Sequence, residues 1–232
     1  MPAKLIDLTH ALTEKTPTWD GRCGFHLTIE HDYLDDQNAV SFKVQRMSLD
    51  CGIGTHIDAP AHCIKNAMTI DQIPLNHLVN IPGYGIDISN RLDQDNCLTA
   101  NDIFEFEATH GTIQENSCVL INTGWHQYWE DASHYHNKYR FPYIHTDAGE
   151  LLAQRKIRAL GIDTLSPDRP DSGYPIHSLL LSRNILIVEN VNNLSQLPSK
   201  DFNVTIAPLN IQNATESPIR MWASNVPLHP LG

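Results

Sequence analysis

Residues 51–63 read C-G-I-G-T-H-I-D-A-P-A-H-C. Two imidazoles and a carboxylate, His56, Asp58 and His62, fall close together, with Gly52 and Gly54 ahead of them and Pro60 between. Glycine lets the backbone turn sharply and lets other groups come near it. Pro60 stops any continuing helix and biases Ala59 toward an extended conformation. On an extended segment residues i and i+2 share a face, so His56 and Asp58 project together and can reach one cation. An imidazole nitrogen paired with a carboxylate oxygen suits Zn or Mn. His62, beyond Pro60, is either a third ligand or a base facing the metal's water.

Outward from this segment the chain is rich in short β-type runs. Residues 40–49, V-S-F-K-V-Q-R-M-S-L, alternate apolar and polar, which predicts a half-buried strand. Residues 118–122 (C-V-L-I-N), 159–162 (A-L-G-I) and 185–188 (I-L-I-V) are nearly continuous apolar runs, as central strands covered on both faces require. Residues 204–208 and 219–223 supply two more strands. Helices are expected over 101–109, behind a Thr99 cap, over 147–156, and over 175–182. Strands outnumber helices and interleave with them irregularly. The expected class is a single α/β domain over residues 1–232, without the strict alternation of a doubly wound fold.

Composition narrows the function classes. A chain of 232 residues with 41% hydrophobic and 19% charged residues is long enough to bury a large core. Its formal net charge of -11 repels phosphate backbones, so no nucleic-acid partner is expected. No run approaches the ~20 apolar residues of a membrane span, and the N-terminus lacks a leader's apolar stretch, so no membrane association and a cytoplasmic location are expected. The five cysteines are odd in number, widely spaced and without C-x-x-C, which indicates neither a disulfide framework nor a zinc ribbon. Thirteen histidines is a high count for a residue that commonly binds metals and moves protons. His134 and His136, in D-A-S-H-Y-H-N-K-Y-R, read as part of a polar, mobile loop.

The segment G-T-H-I-D-A-P-A-H resembles the signature H-x-G-T-H-x-D-x-P-x-H of the cyclase family of metal-dependent hydrolases, which includes bacterial kynurenine formamidases and isatin hydrolases. The likeness extends along the chain. I-D-L-T-H-A-L at 6–12 resembles the family's opening strand, and T-P-T-W-D-G at 16–21 resembles the formamidases' T-P-x-W-P-G. I-N-T-G-W at 121–125 and G-I-D-T-L-S-P-D at 161–168 resemble two further family blocks. The resemblance implies an α/β domain of the swivelling β/β/α type, with a mixed central β-core and flanking helices. It also implies a homodimer or higher homo-oligomer.

Position by position, the resemblance makes His56 and Asp58 metal ligands and His62 the general base and acid. The family's later His and Glu, twelve residues apart, fall on His177 and Glu189 in P-I-H-S-L-L-L-S-R-N-I-L-I-V-E-N. A carboxylate ending so apolar a strand must be paired, hydrogen-bonded or metal-bound. Trp19 matches a residue that packs against an aromatic substrate, or is an ordinary half-buried Trp. The implied cofactor is Zn or Mn, one or two ions per subunit. The implied substrate is a small amide, with arylformamidase (N-formylkynurenine to kynurenine and formate, in tryptophan catabolism) leading and isatin or another cyclic amide as the alternative. A bound divalent ion would bring its water's pKa to about 7, and His62 would serve that water.

One position departs from the pattern. The family's first ligand falls on Gly52, which has no side chain. The consequence is one ion instead of two, or a water or a partner subunit's residue in the gap, or a non-catalytic metal- or ligand-binding protein. Cys51 is one residue off, which on an extended segment faces the other way, and is expected to be a packing residue. No G-x-S-x-G elbow is present to suggest a serine hydrolase.

Overall fold

Four parallel strands form one wall of a closed sheet. In the computed structural model, which describes residues 5–33, 40–91, 93 and 95–225, these are β5 (Ile81–Asp87), β7 (Cys118–Asn122), β9 (Ala159–Ile162) and β10 (Leu186–Glu189). The first four residues, part of the stretch read for a leader, lie outside this description. The other wall is antiparallel: β11 (Phe202–Pro208), β12 (Glu216–Ser224) and the three-residue β4 (His56–Asp58). β4 pairs with β10 on one side and β12 on the other, which closes a seven-stranded mixed barrel. β1 (Leu5–Asp7) adds to the free edge of β12.

The apolar runs divide between two cores by the two-residue period of a strand. Cys118, Leu120, Leu186 and Val188 join Ile57, Val204 and Met221 in one cluster. Val119, Ile121, Leu160 and Ile187 face the opposite way, toward three helices. These are α1 (Ala100–His110), α3 (Thr146–Gln154) and α4 (Pro175–Leu181). Two 2-residue strands, β6 (Cys97–Leu98) and β8 (Tyr143–Ile144), pair beside them. α1 starts where the sequence placed it. Thr99 accepts from the Asp102 amide while the Asp102 carboxylate accepts from the Thr99 amide, satisfying two otherwise orphaned donors. Between β5 and β10 the chain does alternate strand and helix, so the irregularity read from the sequence belongs to the antiparallel half.

Two expectations are corrected. The 40–49 strand starts only at Val44 and is not half-buried. As β3 (Val44–Leu49) it pairs, among the described residues, only with β2 (Phe25–His31), in a hairpin sheet separate from the barrel whose strands are exposed along most of their length. Leu27, Ile29, Val44 and Met47 are exposed there. His134 and His136 do not lie in a mobile loop. They flank the buried Tyr135 in a short helix, α2 (Ala132–His136), capped by Asp131. His134 stacks on Tyr128, and His136 Nε2–H donates to the Trp19 carbonyl at 2.8 Å. No helix among the described residues is long and apolar enough to cross a membrane.

Candidate metal centre

The candidate residues meet on the helix-facing side of the barrel, at the seam made by β4. Ile57 turns into the barrel core, so His56 and Asp58 turn out together, as the extended reading requires. Ala59 is extended at φ -85, ψ 160, and Pro60 opens a single 3₁₀ turn over Pro60–His62. That turn brings His62 back over the same face, its ring 5.9 Å from that of His177. Gly54, at φ +62, supplies the left-handed bend just before β4.

Glu189 ends β10 directly opposite His56 across the β4–β10 ladder, and His177 projects from the first turn of α4. His177 Nε2 lies 3.4 Å from Glu189 Oε1 and 3.7 Å from Asp58 Oδ2. His56 Nε2 lies 3.3 Å from Glu189 Oε2 and 3.6 Å from Asp58 Oδ1. All four side chains are buried.

Each imidazole is turned by a neighbour on its other nitrogen. His177 Nδ1–H donates to Asp168 Oδ2 at 2.8 Å. The same carboxylate accepts from the amides of Ile176 and His177, so Asp168 both starts α4 and fixes the ring. His56 Nδ1–H donates to the Gly54 carbonyl at 2.9 Å. Both rings therefore aim Nε2 at the carboxylates, as metal-binding histidines do when an acceptor on the other nitrogen turns the ring. The two resemblance blocks have matching work. Asp163 accepts from Thr123 and faces His126 Nδ1 at 3.0 Å, tying the ends of β7 and β9 together. Asn190 donates to the Gly54 carbonyl and its own carbonyl accepts from Thr55, which ties the bend to β10.

Electrostatics couple these groups. Burial works to lower the pKa of His56, but the Glu189 and Asp58 carboxylates outweigh it and push it up to about 10. His177 is likewise raised against its burial by Asp168, Asp58 and Glu189. Burial would raise Glu189, yet the two imidazoles hold it down at about 2. His62 is raised by Glu216, whose Oε2 lies 3.2 Å from Nδ1. Cys63 is raised by burial, which keeps it a thiol and argues against a cysteine nucleophile.

The donor set fits a divalent cation. Asp58, His177 and Glu189 place ligand atoms within 4.8 Å of one another, and so do His56, Asp58 and Glu216. Asp58 Oδ1 and Glu189 Oε1 are buried and have no hydrogen-bond partner among the described residues. A buried acceptor left unmatched costs about 1–3 kcal/mol, and more when charged, so a cation is the natural complement of both. Nitrogen and oxygen donors of this kind suit Zn or Mn.

His56, His177, Glu189 and Glu216 line a cleft of about 580 Å³, with Trp19, Leu165 and Tyr174 as its aromatic and apolar wall and His62 toward solvent, its side chain 34% exposed. Trp19 is half-buried and tilts against Tyr139 and Tyr174 at centroid distances of 4.6 and 6.2 Å. Cys51 is exposed, so it is not the packing residue expected of it: the loop before Gly54 runs over the surface and leaves position 51 uncovered. Sequence reasoning missed Glu216, which no motif marks, and Asp168, which lay inside a quoted block without a role.

The Cyclase family model matches residues 6–169. The chain belongs to the cyclase family of metal-dependent hydrolases. This cyclase-family chain is 33% identical over 206 residues to the isatin hydrolase of Roseibium aggregatum, covering 81% of this chain and 77% of that protein. It is 25% identical over 223 residues to a kynurenine formamidase of Bacillus cereus, covering 93% and 94%. Isatin hydrolase A from Ralstonia solanacearum has the same fold, with a TM-score of 0.88 at 28% identity over 96% of this chain and 92% of that one. A solved structure described as a potential metal-dependent hydrolase with cyclase activity has a TM-score of 0.76 at 28% identity, covering 97% and 98%.

Proposed function

We propose that this protein hydrolyses the carbon–nitrogen bond of an aryl amide, with arylformamidase activity on N-formylkynurenine as the leading specific reaction. The observation that carries the reading is the convergence of His56, Asp58, His177 and Glu189, two of their carboxylate oxygens unmatched among the described residues, beside an aromatic-lined cleft. Asp58, His177 and Glu189 would hold the ion, with His56 beside them. A bound Zn or Mn supplies Lewis acidity toward the carbonyl and an activated water at neutral pH.

The chain's own groups do the rest. Glu216 holds His62 through Nδ1, which leaves Nε2 to take a proton from water and return it to the leaving nitrogen. Glu216 first, and Asp58 beyond it, raise the pKa of His62 against its burial, which favours its holding the transferred proton. Trp19 and Tyr174 offer faces for an aryl ring.

A second reading, hydrolysis of isatin or a related cyclic amide, is favoured by the 33% identity to isatin hydrolase and the 0.88 TM-score. Isatin and N-formylkynurenine share an aryl nitrogen acylated beside an ortho carbonyl, and differ in whether the amide closes a ring. Rates on both with metal-loaded protein separate the two readings. No turnover of either, nor of a wider formamide and lactam panel, would remove the hydrolase assignment for this chain. We also propose a homo-oligomer, with the exposed apolar hairpin β2–β3 meeting a second copy. Sedimentation of the purified protein tests it: a monomer, or an oligomer that persists when Leu27 and Met47 become Lys, would refute it.

A further inference from the structure

We propose that Glu216 is a ligand of a second cation, held with His56 and Asp58, and that Gly52 is the opening that admits it. The inference rests on the reading of the cleft as a metal centre and assigns one more residue to it.

Four observations converge. First, β12 pairs with β4 so that Glu216 lies directly opposite Asp58. Directly opposed residues of an antiparallel pair project to the same face, and two carboxylates there repel unless a cation lies between them. Second, His56, Asp58 and Glu216 bring one ligand atom each within 4.8 Å of one another. Third, Asp58 is 1% exposed and its two oxygens face different groups. Oδ2 is 3.7 Å from His177, whereas Oδ1 is on the His56 side, 3.6 Å from Nε2, without a hydrogen bond among the described residues. Asp58 can therefore bridge two ions, one oxygen to each. Fourth, a Cβ at position 52 would lie 2.1 Å from Glu216 Oε1 and 3.5 Å from His56 Nε2. The Glu216 carboxylate occupies the space in which any side chain at 52 would begin.

A side chain at 52 and the Glu216 carboxylate cannot share this spot as it stands, so a ligand arriving from the loop before β4 would require that carboxylate to turn aside. Gly52 leaves that route vacant and Glu216 enters from the head of β12. The carboxylate serves two neighbours, with Oε2 on His62 Nδ1 at 3.2 Å and Oε1 toward Gly52 and His56.

The test counts ions without relying on turnover. Metal-free protein, untagged, is titrated with Mn(II), and bound metal per subunit is read by elemental analysis and by the electron paramagnetic resonance signature of coupled against isolated Mn(II). Wild type is expected to take two equivalents with a coupled spectrum. Glu216→Gln, close in shape to the native side chain, is expected to take one equivalent with an isolated spectrum, the second affinity falling at least about tenfold. His62→Ala should keep two, which separates a ligand role for Glu216 from its hold on His62. Gly52→His combined with Glu216→Gly should recover the second equivalent from the other route. A wild type that binds one ion, or an E216Q variant that still binds two, would overturn the proposal while leaving the metal-centre reading intact. A wild type that binds none would overturn both. Should E216Q unfold, the exchange pair G52H/E216G supplies the count on a folded chain.

Discussion

Two ligand clusters share Asp58 and differ in almost everything else. Asp58, His177 and Glu189 are wholly buried, drawn from two barrel strands and a helix, with Asp168 turning the imidazole from behind. In the second cluster, His56, Asp58 and Glu216, the last is only half-buried and also answers to His62 at the mouth of the cleft. Burial strengthens the field of a carboxylate and makes an unmatched oxygen expensive. The deep cluster should therefore bind first and most tightly, and the outer one should exchange more readily and respond to what enters the cleft.

The shared residue gives the largest effect. Asp58→Ala should empty both positions and lower kcat/KM by at least about 10³-fold, as loss of several kcal/mol of transition-state stabilisation requires; bound metal left at wild-type level would break the comparison at its root. His62→Ala should lower kcat by about 10²–10⁴-fold with metal content unchanged, the range for a lost general base. Retained turnover there would move the base elsewhere. Asp168→Asn should act on the deep position alone, weakening its metal affinity by about 10–100-fold through a mis-turned His177. Calorimetric titration showing an equal loss at both positions would mean the two are not separable. Trp19→Ala should raise KM by about three- to tenfold with a smaller change in kcat, and comparing aryl and alkyl formamides would show whether the ring is what it holds.

A separate effect, on stability and not on turnover, lies just outside the site. His10 stacks on Trp129 at 3.9 Å, and burial and the nearby His126 lower its pKa to about 3. An unfolded histidine titrates near 6.5, so between pH 6.5 and 3 the unfolded chain binds the extra proton. Stability from this group is thus present above pH 6.5 and is lost as pH falls, by up to about 1.4 kcal/mol per pH unit. His10→Phe, which keeps the stacking, should flatten the acid side of the denaturation profile, and an unchanged profile would clear His10.

Much of the metal centre was legible in the sequence. H-I-D fixes two ligands on one face because an extended chain alternates, and Glu189 stands out as a charge at the end of an apolar run. The continuous runs at 118–122, 159–162 and 185–188 likewise announced strands covered on both faces. Glu216 was not legible. It sits at the head of an ordinary strand, and only the β4–β12 register carries it to Asp58. The hairpin was misjudged for a related reason: alternation in 40–49 predicts a pleated surface but not that another element covers it. Cys51 failed the same way, since exposure of a loop is decided by what packs over it.

The closure of the barrel through so short a strand has a consequence for assembly. β4 has only three residues, and it is stitched to β10 and β12, whose ligands come from remote stretches of chain. Such distant segments meet late when a chain folds, because long loops must close first. An ion at this seam cannot be captured by the nascent chain. Once captured it fastens three strands at the place where the cylinder would otherwise open. The protein should therefore melt at a higher temperature when loaded, by an amount that grows with free metal. A chelator should act on it as a mild denaturant, loosening the seam before the helical wall.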